Sequence, residues 1–275
     1  MARFALTIVR HGETRYNKEK LLQGQGIDEP LSETGVKQAE AAGKFLSNVK
    51  FTHVFSSDLI RAKQTCCVIM KNNRLSDPIP IKYDSRLRER KYGNAEGRPL
   101  SELKAMAKKS GQQCPSYTPP GGETLDQVRA RAKDFFEFIC QFVMEESHSK
   151  DQSELGAAGR SEITSADLTL FTNNSDAALC SADGTDAALD ANILLVSHGA
   201  YMRNWIKYFV EDLQFTFPPG LKKSRELSVS PNTGISHFIV TLESGEALKP
   251  KIHCVCINRH DHLADMNADT SHYIV

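Results

Sequence analysis

A doubly wound α/β fold, with a mostly parallel central sheet flanked by helices, follows from three features of the chain. "FALTIVRHG" at 4–12 is short, β-branched and apolar up to its arginine, as befits a strand buried on both faces of a parallel sheet. The same design, an apolar run ending in His-Gly, returns at "NILLVSHG" (192–199). Between the two, strand-like and helix-like segments alternate, the order that winds helices over both faces of a sheet.

The first run is read as a central strand. "LSETGVKQAEAAGKFLSNV" then places Val36, Ala39, Ala42 or Gly43, and Phe45-Leu46 at helical spacing, which predicts an amphipathic helix covering that strand. "FTHVFSSD" returns to strand character, and Ser56, Ser57 and Asp58 offer N-caps for the helical "LIRAKQTCCVIMKN". Residues 78–122 mix a short strand, glycine-containing loops and one helical piece, and are expected to form an excursion over the sheet's edge. "GGETLDQVRARAKDFFEFICQFVMEE" carries Leu125, Val128, Ala132, Phe135-Phe136, Ile139 and Val143 on one stripe, with Glu123 or Thr124 near its cap, and predicts a long helix.

Residues 147–190 change character. Ser, Ala, Asp, Gly, Thr and Asn dominate, with a small echo in "SDAAL" and "TDAAL", so the segment is expected to be a flexible insertion whose removal spares the fold. "ANILLVSHGAYMRNWIKYFV" resumes the core as a strand and a helix with Met202, Trp205, Ile206 and Phe209 inward; "TGISHFIVTLE" and "KPKIHCVCINR" predict two late strands. The expected organisation is one domain over 1–260, interrupted at about 147–190, with a loosely ordered tail at 261–275.

The composition is that of a soluble globular protein, 40% hydrophobic and 25% charged. A formal net charge of zero removes any general argument for a nucleic-acid or membrane-surface partner, and no apolar run has the length of a membrane span. Seven cysteines without a framework spacing predict a reducing, cytoplasmic setting, with nuclear or mitochondrial association left open. Cys66-Cys67 and Cys254-Val-Cys256 lack the CxxC spacing of zinc sites and are read as buried thiols; "HDH" at 260–262 is read as part of a solvated tail.

Ligands of parallel α/β sheets bind outside the carboxyl ends of strands. Three such ends carry charged or reactive groups: Arg10-His11, the stretch from Ser57 to Arg61, and His198. Two imidazoles and two guanidiniums in one crevice suit a phosphoryl group, since guanidinium forks match its oxygens and imidazole can attack phosphorus.

"LTIVRHGET", "DEPLSETGVKQA", "SSDLIRAKQT", "LRERKYGNAEG" and "LLVSHGAYMR", in that order, resemble the histidine phosphatase superfamily, the phosphoglycerate mutase-like group. The resemblance implies that His11 is the nucleophile that becomes phosphohistidine, and that Arg10, Arg61 and His198 hold the transferring oxygens. It makes Glu89 the general acid, though Glu96, Glu102 and Glu123 stand nearby in sequence. Asn17 matches the residue capping the phosphate loop, and Gln23-Gly24 the loop approaching the substrate. Arg203, Lys91 and Tyr92 are candidates for a second phosphate or a sugar. Neither a metal nor another cofactor is implied. Residues 86–128 look most like members that act on fructose 2,6-bisphosphate, so the implied partner is a small bisphosphorylated metabolite and the implied role a restraint on glycolysis. Phosphoglycerate mutase or bisphosphoglycerate phosphatase activity is the enzymatic alternative. A scaffold using the fold for protein contacts is the non-enzymatic one, and the 147–190 insertion is the candidate contact segment.

Overall fold

The computed structural model describes residues 1–76, 78–153, 170–171, 189–217, 228–243, 250–264 and 266. Its strands are β1 (Ala2–Arg10), β2 (His53–Ser56), β3 (Ile81–Tyr83), β4 (Ala191–Ser197), β5 (Gln214–Thr216), β6 (Ile235–Leu242) and β7 (Lys251–Arg259). They form a seven-stranded sheet in the order β3-β2-β4-β1-β6-β7-β5. β1 pairs parallel with β4, as do β4 with β2, β2 with β3 and β5 with β7, whereas β6 runs antiparallel to both neighbours. The expected mostly parallel sheet is present, with β6 the one reversed strand among those described. The short edge strand β5 has no counterpart in the sequence reading.

β1 and β4 sit at the middle, and their apolar runs are buried on both faces. Successive side chains alternate between the two sides of a strand. Phe4, Leu6 and Ile8 therefore meet α5 (Leu125–Ser153) and α6 (Gly199–Asp212), where Phe135, Phe136, Trp205 and Phe209 fill the gap. Val9, Leu194 and Val196 face α2 (Glu33–Phe45) and α3 (Ile60–Asn72), packing on Ala42, Leu46, Ala62, Cys66 and Ile69. The remaining helices are the short α1 (Arg15–Lys18) and α4 (Leu100–Lys109) of the edge excursion.

Local details differ from the sequence reading. α2 turns Val36 outward and buries Gln38, Ala39, Ala42 and Gly43, because its contact with α3 is close enough to require small side chains. The N-cap of α3 is Leu59 rather than Ser56, Ser57 or Asp58, and the orphan Ile60 N–H donates instead to Asp28 Oδ1 at 2.7 Å. Thr124 does cap α5: its Oγ1 accepts from Gln127 N–H at 3.1 Å while Gln127 Oε1 accepts from Thr124 N–H at 2.8 Å.

α5 continues to Ser153, past the point where composition places the insertion, and Leu170 and Phe171 return to the core. The Phe171 ring is 2% exposed and stacks on His237 with centroids 3.9 Å apart, while Leu170 O accepts from Arg259 Nη1 at 2.7 Å. A low-complexity segment can therefore hold an anchor that its average composition hides. The rest of 154–188, including "SDAAL" and most of "TDAAL", lies outside the described residues. Of the tail, Asp261–Leu263 forms a 3-10 turn with Leu263 buried. Among the described residues no helix is long and apolar enough to cross a membrane.

Phe171→Ala should lower the unfolding free energy by about 3 kcal/mol, the usual cost of truncating a buried aromatic. Urea unfolding measures this, and a loss below about 1 kcal/mol would show that the anchor contributes little. His237 supplies a pH test. It donates to or accepts from Thr7 Oγ1 at 2.9 Å, and burial pushes its pKa down to about 3. The unfolded imidazole titrates near about 6.5, so the stability tied to neutral His237 is present above that pH and is lost as pH falls towards the folded value. Unfolding measured from pH 7 to pH 5 should lose about 1.4 kcal/mol per pH unit from this group below its unfolded pKa. His237→Gln should flatten the profile by that amount, and an unchanged slope would refute the assignment.

Candidate active site

Arg10 stands opposite Ser197 in the β1–β4 register, so the next residues, His11 and His198, leave the sheet side by side. His11 N–H donates to Ser197 O at 2.9 Å, and the two imidazole centroids are 5.1 Å apart. β2 ends next to β4, with Ser57 N–H on Val196 O at 3.0 Å, and the first turn of α3 then delivers Arg61, 1% exposed. Three strand ends thus converge as the sequence predicts.

His11 Nδ1 lies 2.7 Å from Gly12 O. A carbonyl oxygen only accepts, so Nδ1 carries the proton and Nε2 keeps its lone pair. Burial, then the Arg61 and Arg10 charges, hold the His11 pKa well below the usual histidine range. The side chain is therefore neutral and nucleophilic at physiological pH.

His198 is also held well below the usual range, by burial first and then by Arg61, His11 and Arg10. Its tautomer is set by Ser57. Leu59 N–H donates to Ser57 Oγ at 3.3 Å, and Ser57 Oγ lies 2.8 Å from His198 Nε2. The Ser57 hydroxyl is wholly buried, and His198 Nε2 is the acceptor within its reach, so the hydroxyl proton points there. With that hydroxyl donating, the ring proton sits on Nδ1, which is buried and has no protein partner.

Arg61 donates from Nη2 to Gly24 O at 2.9 Å and from Nη1 to Ile27 O at 3.3 Å, with Asp28 3.8 Å away; its buried Nε has no protein partner. Burial lowers its pKa to about 10, which leaves it cationic at neutral pH. Asp58, the other carboxylate spaced to pair with it, instead takes the Arg88 fork through two bonds of 2.7 Å. Gly24 adopts φ +59, and a Cβ there would strike the Glu96 carboxylate. That carboxylate accepts from the N–H groups of Tyr92, Gly26 and Gln25 at 2.8, 2.9 and 3.1 Å, fixing the loop that meets Arg61.

A cavity of about 200 Å³ opens over these groups, and nine of the ten predicted site residues line it: Arg10, His11, Asn17, Gln23, Gly24, Arg61, Glu89, Tyr92 and Arg203. The tenth, His198, lies wholly buried beside His11 and does not line the cavity. Asn17 Oδ1 accepts from Thr14 N–H at 3.1 Å and Asn232 Nδ2 at 3.2 Å, while Gln23 Nε2 donates to Thr14 Oγ1 at 2.8 Å, leaving a buried Oε1 without a protein partner. Burial raises the Tyr92 pKa. Lys91 does not line the cavity; its side chain is exposed, and its backbone N–H donates to Glu123 Oε2.

Among the carboxylates considered from sequence, Glu89 is the one at the cavity. It accepts from Arg90, Tyr201 and Ala200 N–H at 2.8, 2.9 and 3.1 Å, which seats it at the N-terminus of α6. Glu96 serves the loop, Glu123 is bound to Arg131, and Glu102 is a surface partner of Arg98.

The sequence reading missed several residues. Lys20, Arg90 and Lys207 also line the cavity. Arg90 is committed elsewhere, donating to Pro115 O, Tyr117 O, Glu123 O and Thr118 Oγ1. The turn "SPNTG" at 230–234 holds the surroundings of His11: Ser230 O accepts from Arg10 Nη1 at 2.6 Å, and Asn232 Nδ2 donates to His11 O at 3.1 Å as well as to Asn17. Its Pro-Asn-Thr-Gly composition before a strand marks a turn, but nothing in it marks a site. A larger groove of about 620 Å³ along α5 and α6 contains none of the predicted residues.

The histidine phosphatase superfamily (branch 1) model matches residues 6–149, just over half the chain. The chain belongs to the histidine phosphatase superfamily. Its relatives include "Fructose-2,6-bisphosphatase TIGAR" of Xenopus laevis, 76% identical over 275 residues and covering 100% of both chains. The Mus musculus protein of the same name is 53% identical over 264 residues, 96% of this chain and 97% of its own. A solved phosphoglycerate mutase from Bacillus anthracis superposes with a TM-score of 0.62 at 18% identity, covering 97% of this chain and 98% of the other, and shows the shared fold.

Within this histidine phosphatase, Ser57→Ala removes the group that orients the His198 proton. Nitrogen-15 spectra should show His198 protonated at Nδ1 in the wild type and a mixture of tautomers in the variant. A roughly tenfold loss of kcat should accompany the change, the worth of one buried hydrogen bond. An unaltered Nδ1-protonated signal in Ser57→Ala would sink the argument.

Proposed function

We propose that this phosphatase hydrolyses the 2-phosphate of fructose 2,6-bisphosphate through a phosphohistidine at His11, acting in the cytoplasm and so restraining glycolysis. The observation carrying the proposal is a neutral His11 with a free Nε2 at a cavity whose lining holds Arg10, Lys20, Arg61, Arg203 and Lys207 against one carboxylate, Glu89. Two full-length relatives bearing the name fructose-2,6-bisphosphatase support the substrate, and buried free thiols at Cys66 and Cys140 support a reducing compartment.

His11 Nε2 attacks phosphorus as the bond from phosphorus to the sugar oxygen breaks. Glu89 passes a proton to the leaving alkoxide, then takes one from the water that attacks phosphohistidine, releasing phosphate and restoring His11. Arg10, Arg61 and the His198 Nδ1–H hold the equatorial oxygens, where most of the stabilisation in phosphoryl transfer arises. A second phosphate needs its own cations, and Lys20, Arg203 and Lys207 line the same cavity as His11. Asn17 and Gln23 are assigned to phosphate and sugar contacts, Gly24 to close approach of the loop, and Tyr92 to the cavity wall. The scheme uses no metal or other cofactor.

Phosphate release from fructose 2,6-bisphosphate and from glycerate bisphosphates, by the wild type and His11→Ala, tests the reading. Release should be fastest with the fructose ester and fall roughly a thousandfold or more in the variant. Unchanged activity in His11→Ala would end the mechanism, and isomerisation without net phosphate release would move the assignment to a mutase.

A further inference from the structure

The "HDH" motif has no part in the scheme above, yet His262 is only partly exposed. It stands in the Asp261–Leu263 turn, with its ring centroid 5.8 Å from that of Phe45. Leu263 is buried beside it, and Arg259 grips Asp261 through bonds of 2.6 and 2.8 Å. From there His262 Nε2 lies 3.1 Å from Thr233 Oγ1.

Thr233 is wholly buried and has φ +55. For a β-branched residue this left-handed conformation is a genuine outlier that persists only where surrounding contacts impose it. In it, the Thr233 N–H reaches two carbonyls at once, Arg10 O at 3.1 Å and His11 O at 3.3 Å. Without these two contacts the Arg10 carbonyl would lose the Thr233 N–H, and the His11 carbonyl would keep only Asn232 Nδ2 from this turn.

We propose that His262 is a positioning residue for the nucleophile: by holding the Thr233 hydroxyl it fixes the strained backbone that clamps the Arg10 and His11 carbonyls. This rests on His11 being the nucleophile. The device lies at the far end of the chain from His11, so it is a tether between the C-terminal turn and the reacting strand. His262 touches no reacting atom in this assignment, and its action runs through Thr233.

The test uses the full chain. His262→Phe keeps a ring against Phe45 but loses the bond to Thr233. Its kcat should fall about tenfold or more while KM changes less than about twofold, since misplacement of an attacking group acts on the chemical step. Amide exchange at Thr233 should quicken in the same variant. Glycine adopts φ +55 without strain, so Thr233→Gly combined with His262→Phe should recover most of the lost kcat. A purely structural His262 would show no such rescue. Thr233→Val removes the hydroxyl from the other side and should match the loss in His262→Phe, which keeps the test open if His262→Phe does not fold. Wild-type kcat in either single variant, or a double variant no faster than His262→Phe, overturns the proposal. Failure of the nucleophile reading is a separate result, activity surviving in His11→Ala.

Discussion

The pairing of β1 with β4 is the constraint on which the site depends. It brings Arg10 level with Ser197 although the two are far apart in sequence, and the chain needs one further residue on each strand to set His11 beside His198. A slip of one residue in this register would turn either histidine to the opposite face. The slip is prevented by burial on both faces of both strands, since Phe4, Leu6 and Ile8 fit one helical layer and Val9, Leu194 and Val196 the other. Arg10 and His11 are consecutive, and a regular strand would aim them apart. Both nonetheless line one cavity, because regular pairing ends at Arg10 and the 230–234 turn takes over, binding the His11 carbonyl through Asn232 and Thr233.

Electrostatics at this junction favour an anionic ligand. Arg61 is nearly fully buried, its closest carboxylate is 3.8 Å away, and burial drives its pKa down to about 10. The same cations and the same burial depress both histidines. Arg61 Nε and His198 Nδ1 are buried without a protein partner, so an acceptor on a bound anion would satisfy them. A phosphoryl group would bring acceptors and negative charge together, so the burial and the cations that depress both histidines also favour the charged ligand.

What could be read from the sequence was what is local. Strand ends, His-Gly turns and Arg61 on the first turn of α3 are encoded within a few residues, and each stands where the spacing put it. Contacts through backbone carbonyls carry no residue-type signal, so the turn around Asn232 was not visible, and the His262–Thr233 contact joins side chains 29 residues apart that no local pattern links. Lys20 and Lys207 were hidden because a lysine on a short helix end or an amphipathic helix normally reads as solvated surface. Lys91 was misjudged for the converse reason, as its motif neighbour Tyr92 faces the cavity and alternation turns Lys91 away. Phe171 shows a further limit: one anchoring ring in a polar, small-residue segment leaves the average composition unchanged.

The division of labour along the chain has a consequence for folding. The stretch matched by the superfamily model, residues 6–149, contains His11, Arg61 and Glu89. The hydrogen-bonded neighbours of β1 are β4 on one side and β6 on the other, and both come later in sequence. Without them the strand that leads to His11 would expose two unpaired edges, and Glu89 would lose the Ala200 and Tyr201 N–H groups that seat it. The N-terminal half therefore holds most of the chemistry but cannot assemble it. The site forms only when the chain beyond residue 190 closes both sides of β1, so catalytic geometry and completion of the sheet are one event.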